Sequence, residues 1–114
     1  READVHENYK NKILRAGDTD TVVTGRSHSH PIRALKNQMT REYLRLEKEG
    51  RSFEELEQLT LGGLRRAVQD GDVIQGSVMS GQSAGLVREI LSCREVIEQI
   101  TRQAQALLKG RSDE

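Results

Sequence analysis

The stretch from Gly71 to Gly85 reads GDVIQGSVMSGQSAG and lies between two segments with helical patterns. Its four glycines and three serines leave it with little side-chain bulk. Glycine inside ordered structure is destabilising by roughly 0.5–1 kcal/mol relative to alanine, so such a cluster indicates a backbone that turns with positive φ or lets another body approach closely. Two interpretations stay open at this point: contact with a bound ligand, and close packing of helices.

The segment from Ser83 to Val87, which includes the last three residues of this stretch and the two that follow, is typical of the start of a helix. Free N–H groups and the positive end of the helix dipole at such a start suit an anionic or carbonyl-bearing ligand. The stretch contains neither the Gly-Lys-Ser/Thr of a P-loop nor the Gly-x-Gly-x-x-Gly of a dinucleotide-binding fold. Known phosphate-binding motifs therefore do not identify the ligand.

Most of the chain has the apolar periodicity of helices. A capping box, in which serine is followed three residues later by glutamate, opens two of them, at Ser52 and at Ser92. Thr21 to Thr24 is β-branched throughout and is the one predicted strand. We predict a mainly α chain with one short strand and with helices over residues 4–16, 31–49, 53–59, 64–69 and 92–109.

The last predicted helix is amphipathic, and the polar tail from Gly110 to Glu114 is expected to fray. The apolar face of this helix suits docking against another part of the protein, pairing with a second subunit, or packing within the chain itself, and the sequence does not choose among them. Its apolar residues are Val96, Ile97, Ile100, Ala104, Leu107 and Leu108.

The composition limits the size of the hydrophobic core and the classes of partner that the chain can bind. Only 34% of the residues are hydrophobic and 32% are charged, so a tight independent core is not expected. The 18 basic and 18 acidic residues cancel, which argues against nucleic acid or an anionic membrane as the main partner. No apolar run has the length of a membrane span. The single cysteine, Cys93, excludes an internal disulfide, and we expect a cytoplasmic protein.

No residue of the chain is assigned a catalytic or metal-binding role. His28 and His30 lie beside arginines, but zinc needs three or four converging ligands and the only cysteine is distant in sequence. We expect His30 and Pro31 to serve the start of a helix, and His6 to lie on the surface of the first helix. Cys93 has no adjacent histidine and is expected to be a packed or surface thiol.

Several separated motifs resemble one known family. Gly71-Asp72-Val73, Gly76 to Gln82 and Ala84-Gly85-Leu86 closely resemble the C-terminal signature of the nitronate monooxygenase/2-nitropropane dioxygenase-like flavoenzymes, above all their enoyl-acyl-carrier-protein reductase II (FabK-type) branch. The resemblance extends over roughly residues 3–100, because three further motifs resemble that branch in the same order: DTVVTGR over 20–26, HPIRALKN over 30–37 and LRRAV over 64–68.

The resemblance implies the last third of a longer enzyme that binds flavin mononucleotide (FMN) and has a (β/α)8 TIM barrel with a smaller helical portion. Residues 1–25 would be the end of the barrel, comprising its last helix and the following strand. Residues 26–114 would be the helical C-terminal portion, with loop 71–85 facing flavin and substrate. The glycine-rich phosphate site and the catalytic histidine of the family would lie upstream, in the missing N-terminal barrel.

The implied activity of the intact protein is an FMN-dependent oxidoreductase that uses NAD(P)H. Its substrate would be an enoyl thioester of fatty acid synthesis or an alkyl nitronate, and the fragment alone would be inactive. Loop 71–85 would contribute contacts to the cofactor or substrate through Ser77, Met79, Gly81 and Gln82. The alternative is a free-standing helical interaction module that forms a homodimer through the helices over 31–49 and 92–109 and needs no flavin.

Overall fold

The computed structural model describes residues 1–112, which form helices around a small sheet. The mainly helical prediction is confirmed, and the predicted strand Thr21–Thr24 is present. Short 3₁₀ helices also occur at Arg26–His28 and Gln82–Leu86. In chain order the regular elements are α1 (Glu7–Leu14), β1 (Thr21–Thr24), β2 (Ile32–Leu35), α2 (Gln38–Lys48), α3 (Phe53–Thr60), α4 (Gly63–Val68) and α5 (Cys93–Ser112).

The segment after Pro31 is a second strand, so the prediction of a single strand and of a helix from Pro31 was wrong. β2 pairs antiparallel with β1, with Thr24 opposite Ile32 and Thr21 opposite Leu35. His30 and Pro31 therefore lead into a strand rather than a helix. Ile32–Leu35 is a strand because of hydrogen bonds to the preceding strand β1 and, at Leu35, to the Val78 carbonyl, whereas helical spacing is a pattern within the segment alone.

Asn37 fixes the true start of α2 and ties it to the glycine-rich loop. Its side-chain oxygen accepts from the Thr40 N–H at 2.9 Å, and the Thr40 hydroxyl accepts from the Asn37 N–H at 2.9 Å. Its amide group donates to the carbonyls of Val73 and Gly76 at 3.0 and 2.7 Å. The residue is 5% exposed, so these bonds form away from water.

Two apolar clusters form the core. The first joins α1, β2 and α4 to the glycine-rich loop, while the second joins α2 to α3 through Met39, Tyr43 and Leu56. In the first cluster the buried members are Tyr9, Ala16, Leu35, Ala67, Val78 and Ala84. The loop is thus part of the core through Val78 and Ala84, not a cover laid over it.

Several helix ends differ from the predicted ones. α1 is shorter than predicted, because His6 is its half-buried N-cap and accepts from the Asn8 N–H at 3.0 Å. The capping boxes at Ser52 and Ser92 are confirmed by reciprocal hydrogen bonds with Glu55 and Glu95. α5 continues through Gly110 to Ser112, so fraying there was a wrong prediction. The rest of the predicted tail, residues 113–114, lies outside the described residues.

Replacing Asn37 with aspartate tests whether this residue holds the loop. Asn37→Asp keeps the cap acceptor but removes both donors and places a carboxylate against two carbonyl oxygens. We expect the free energy of unfolding, measured by urea denaturation, to fall by about 3 kcal/mol. The matched control is Gln38→Glu, which makes the same chemical change at the exposed neighbouring position and should stay within about 0.5 kcal/mol. Equal effects of the two substitutions would contradict the role of Asn37.

The turn between β1 and β2 predicts a pH dependence of stability. The carboxylate of Glu47 accepts from the N–H groups of Gly25 and Ser27 at 3.1 and 2.9 Å. Partial burial raises the pKa of Glu47. The hydrogen bonds from these donors lower it by a larger amount, so the pKa lies below its ordinary value. The resulting stabilisation is present above the pKa of an unfolded-state glutamate and is lost as pH falls through the lower folded-state pKa.

We therefore expect Glu47→Gln to lower the urea midpoint at neutral pH, and the difference from the unchanged chain to shrink as pH falls below about 4. Glu54→Gln, at an exposed position of α3, is the control and should change the midpoint little at any pH. A Glu47→Gln difference that stays constant from neutral to acid pH would refute the charge-based explanation.

Candidate functional site

A cavity of about 240 Å³ lies between the β1–β2 hairpin, α2, the α3–α4 junction and loop 71–85. Two of the four predicted contact residues, Ser77 and Met79, line it. Its apolar lining also includes Ile32, Ala34, Met39 and Leu64. Ligand sites usually combine apolar walls with a few polar groups, as this cavity does, although their usual volume, from roughly 300 Å³ upward, is larger.

The backbone beside this cavity is held on both sides. The Leu35 N–H donates to the Val78 carbonyl at 2.8 Å, and the Ser80 N–H donates to the Arg33 carbonyl at 3.3 Å. The Tyr9 hydroxyl donates to the Met79 carbonyl at 2.5 Å, and burial raises the pKa of Tyr9, which keeps this donor protonated at neutral pH. Residues 78–80 are therefore an extension of the sheet edge and not a freely moving loop.

Met79 is exposed although its backbone is fixed. Val78 is fully buried, whereas the next side chain, Met79, is 40% exposed. Ile32 and Leu64, which line the same cavity, are 44% and 45% exposed. Inward packing thus explains Val78 but not Met79, and the three exposed side chains form an apolar rim around the cavity. Methionine suits such a position because its flexible side chain adapts to a partner of irregular shape.

The other three predicted contacts differ from Met79 in their surroundings. Ser77 is buried, and its N–H donates to the Gly63 carbonyl at 2.9 Å. Gly81 and Gln82 are exposed and are not among the residues that line the cavity. Gly81 precedes the 3₁₀ helix Gln82–Leu86, which stands where the start of an α-helix was predicted. The structure brings Ser77 and Met79 together, and places Gly81 and Gln82 on the adjoining surface.

Three of the four glycines in the stretch are explained by packing within the chain. Gly71 has φ +71° and a methyl group there would strike the His6 ring, while at Gly76 it would strike the Asp72 carbonyl. At Gly85 it would come within 3.0 Å of the Gly17 and Asp18 backbone. Gly81 differs, because its nearest neighbour would be the Ser83 hydroxyl at 3.9 Å. Among these four glycines, only Gly81 leaves a space that the described part of the chain does not fill.

The residues weighed for metal or thiol chemistry have structural surroundings. The rings of His28 and His30 lie against Phe53, with centroid distances of 5.9 and 5.0 Å. Within residues 1–112 no three His, Cys, Asp or Glu side chains are grouped so as to hold a metal ion. Cys93 is exposed. Over the same residues, no helix combines the length and the apolar character needed to cross a membrane.

A larger groove, of about 380 Å³, lies beside α1 and away from the predicted contacts. Its lining includes three cations, Lys12, Arg15 and Lys36, above an apolar floor of Leu35 and Val73. The predicted contact residues do not line this groove. We place the candidate site at the smaller cavity because it adjoins the fixed backbone and exposed side chain of Met79.

The sequence reasoning missed the residues that build the site from outside loop 71–85. Tyr9 and Asn37 hold the loop backbone, and Ile32 and Leu64 form the rim. Asn37 followed by Thr40 is a polar pair at capping distance and was the available signal for the loop anchor. No comparable local signal marks Ile32 or Leu64, because the cavity forms only when the hairpin and the α3–α4 junction meet.

Comparison with known proteins identifies the family. The family model described as nitronate monooxygenase matches residues 1–103. FabK from Thermotoga maritima is 41% identical, with a TM-score of 0.86, and covers 97% of this chain. A methionine-to-alanine variant of FabK from Thermotoga maritima is 38% identical, with a TM-score of 0.75, and covers 99% of this chain. The chain belongs to the nitronate monooxygenase family.

The chain spans only part of these relatives. Its match covers 35% of the FabK chain and 32% of the variant. The resemblance inferred from the motifs is thereby confirmed, and the two relatives have about two-thirds of their length outside it.

Alanine substitution at two of these glycines tests whether Gly81, unlike Gly76, is dispensable for packing within the chain. Gly76→Ala would press a methyl group against the Asp72 carbonyl and Ala67, so we expect a loss of about 1–3 kcal/mol in the free energy of unfolding. Gly81→Ala has φ −77° and open space, and should stay within about 0.5 kcal/mol. Urea denaturation of both variants makes the comparison. A similar loss in Gly81→Ala would mean that this glycine serves the chain's own packing.

Proposed function

We propose that this chain is the C-terminal part of an FMN-dependent oxidoreductase that uses NAD(P)H, of the enoyl-acyl-carrier-protein reductase II type. Residues 1–25 would close the barrel and residues 26–114 would form the helical portion that carries the flavin- and substrate-facing loop. Membership of the nitronate monooxygenase family and the likeness to FabK support this assignment. The nitronate-oxidising activity of the family name is the second candidate.

The observation that carries the proposal is the exposed Met79 side chain on an immobilised backbone. Hydrogen bonds from Tyr9 and Leu35 hold the chain on either side of it, yet the side chain is directed away from the core. A fixed backbone that presents an apolar side chain beside a cavity favours contact with a bound molecule over a purely structural role. The same segment supplies the open backbone at Gly81.

The residues present fit a flavin or its substrate by their chemistry. Met79 and the rim residues Ile32 and Leu64 offer an apolar wall to a ring or chain. Gln82 offers an amide donor and acceptor, and Ser77 a hydroxyl. The unfilled space at Gly81 allows a planar group to approach the backbone. FMN, when bound, supplies the hydride chemistry between nicotinamide and substrate, and the protein orients it.

The cavity favours the enoyl-reductase candidate over the nitronate one. Apolar side chains supply the larger part of its lining, beside the polar residues Thr24, Thr60, Arg65 and Ser77, and its volume of about 240 Å³ gives room for the hydrocarbon part of a substrate. Ser80 and Ser83, the other two serines of loop 71–85, lie outside its lining. An alkyl nitronate with a short chain would use little of this surface.

Binding of FMN to the polypeptide that contains this chain, as produced by its source, tests the proposal. We expect Met79→Ala and Gln82→Ala each to weaken FMN retention or to lower kcat/KM by about tenfold, which corresponds to roughly 1.4 kcal/mol. Ile74→Ala is the matched control, because Ile74 is an exposed apolar residue of the same segment outside the cavity lining. Its FMN titration and turnover should be unchanged.

The outcomes separate the two levels of the proposal. Absence of FMN binding by the unchanged polypeptide would refute the flavoenzyme assignment. Full FMN binding and turnover in both variants would refute the contact roles of Met79 and Gln82 while leaving the assignment in place. Reduction of an enoyl thioester, compared with oxidation of an alkyl nitronate, decides between the two candidate activities.

A further inference from the structure

The groove of about 380 Å³ beside α1 carries an excess of positive charge. Three cations line it, Lys12, Arg15 and Lys36, against the single carboxylate of Asp20. That carboxylate also accepts from the Gly17 N–H at 2.6 Å. Within residues 1–112, the side chains of the three cations form neither an ion pair nor a hydrogen bond. Three positive charges and one negative charge leave the lining with a net charge of +2.

The end of α1 explains two of these cations but not the third. Lys12 lies in the last turn of α1 and Arg15 is its C-cap, where positive charge interacts favourably with the free carbonyl groups of a helix. Lys36 follows β2 and comes to the groove from a different part of the chain. Like charges around one groove repel each other, so the arrangement favours an anion that balances them.

The walls of the groove are tied to each other by hydrogen bonds. The Asn8 amide group on α1 donates to the Gly71 carbonyl at 3.0 Å, and the Lys36 N–H donates to the Asp20 carbonyl at 2.8 Å. Leu35, which is 2% exposed, is part of the floor. The groove is therefore preformed, and its volume lies in the usual range of sites for small molecules.

We propose that this groove binds a small molecule in which a phosphate group is joined to an apolar part. A phosphate monoester carries a charge of about −1.5 to −2 at neutral pH, which matches the excess on the lining. The guanidinium of Arg15 suits two parallel hydrogen bonds to phosphate oxygens, while the ammonium groups of Lys12 and Lys36 act as point charges. Leu35 and Val73 in the floor offer contact to the apolar part.

This second site is separate from the candidate site at Met79. Ala34 lines the candidate cavity and Leu35, the next residue of β2, lines the groove. Successive side chains of a strand point to opposite faces, so the two sites lie on opposite faces of β2. Val73 belongs to loop 71–85 and lines the groove, which makes the loop part of both sites.

Titration calorimetry of the polypeptide that contains this chain, as produced by its source, tests the proposal with phenyl phosphate, inorganic phosphate and phenol as probes. FMN is added in excess, so that a flavin phosphate site elsewhere in the polypeptide is occupied. We expect phenyl phosphate to bind at least about threefold more tightly than inorganic phosphate, because its ring contacts the floor. Phenol should not bind detectably, and the affinity for phenyl phosphate should fall as salt is added.

Two substitutions locate this binding in the groove. We expect Lys36→Gln to raise the dissociation constant for phenyl phosphate about threefold, and the double variant Arg15→Gln/Lys36→Gln to raise it about tenfold. Lys48→Gln is the matched control, because Lys48 is an exposed lysine of α2 outside the groove lining, and its dissociation constant should be unchanged. The urea midpoint of Lys36→Gln should also be unchanged, which separates a binding role from a structural one.

Either of two results would overturn the proposal. The first is no binding of phenyl phosphate by the unchanged polypeptide, which is also the result expected if an acidic segment of that polypeptide fills the groove. The second is an equal change in affinity in Lys36→Gln and Lys48→Gln. Retention of FMN is measured separately, so failure here leaves the flavoenzyme assignment in place, and absence of FMN binding leaves this titration decisive for the groove.

Discussion

The hydrogen bonds of Asn37 are the constraint on which the rest of the structure depends. This one buried side chain begins α2 and, through two donated bonds, fixes the backbone over Val73 to Gly76. A loop rich in glycine has a high conformational entropy in the unfolded chain and needs such anchors to adopt one conformation. Because the anchor lies between β2 and α2, the loop has a defined position relative to the hairpin.

The position of the loop determines which of its side chains reach the candidate site. With Val78 in the core and the Met79 carbonyl bound by Tyr9, the Met79 side chain is directed toward the cavity rim. Three glycines of the loop allow close packing within the chain, and the fourth leaves open space beside the site. The two interpretations of the glycine cluster are thus both retained. Packing accounts for Gly71, Gly76 and Gly85, and a bound molecule is the proposed reason for Gly81.

Local signals in the sequence predicted local structure well. The capping boxes at Ser52 and Ser92 and the β-branched run at Thr21–Thr24 were correct because each depends on residues close in sequence. The strand Ile32–Leu35 was missed because its partner makes it a strand, and its apolar spacing also suits a helix. Of the residues that line the candidate cavity, the sequence indicated only Ser77 and Met79, and their contact roles stay predictions. Its rim combines Ile32 of the hairpin with Leu64 of the α3–α4 junction. These residues come together only in the folded chain, and no local sequence pattern predicts their contact with one cavity.

The central claim is that this chain is part of a flavoenzyme and that its loop 71–85 contacts the flavin or the substrate. The most direct measurement is the intact mass of the protein recovered from its source, recorded together with its visible absorbance. The account predicts a species heavier than 12.8 kDa that carries this sequence and shows the absorbance of bound flavin. A colourless species of 12.8 kDa would contradict it.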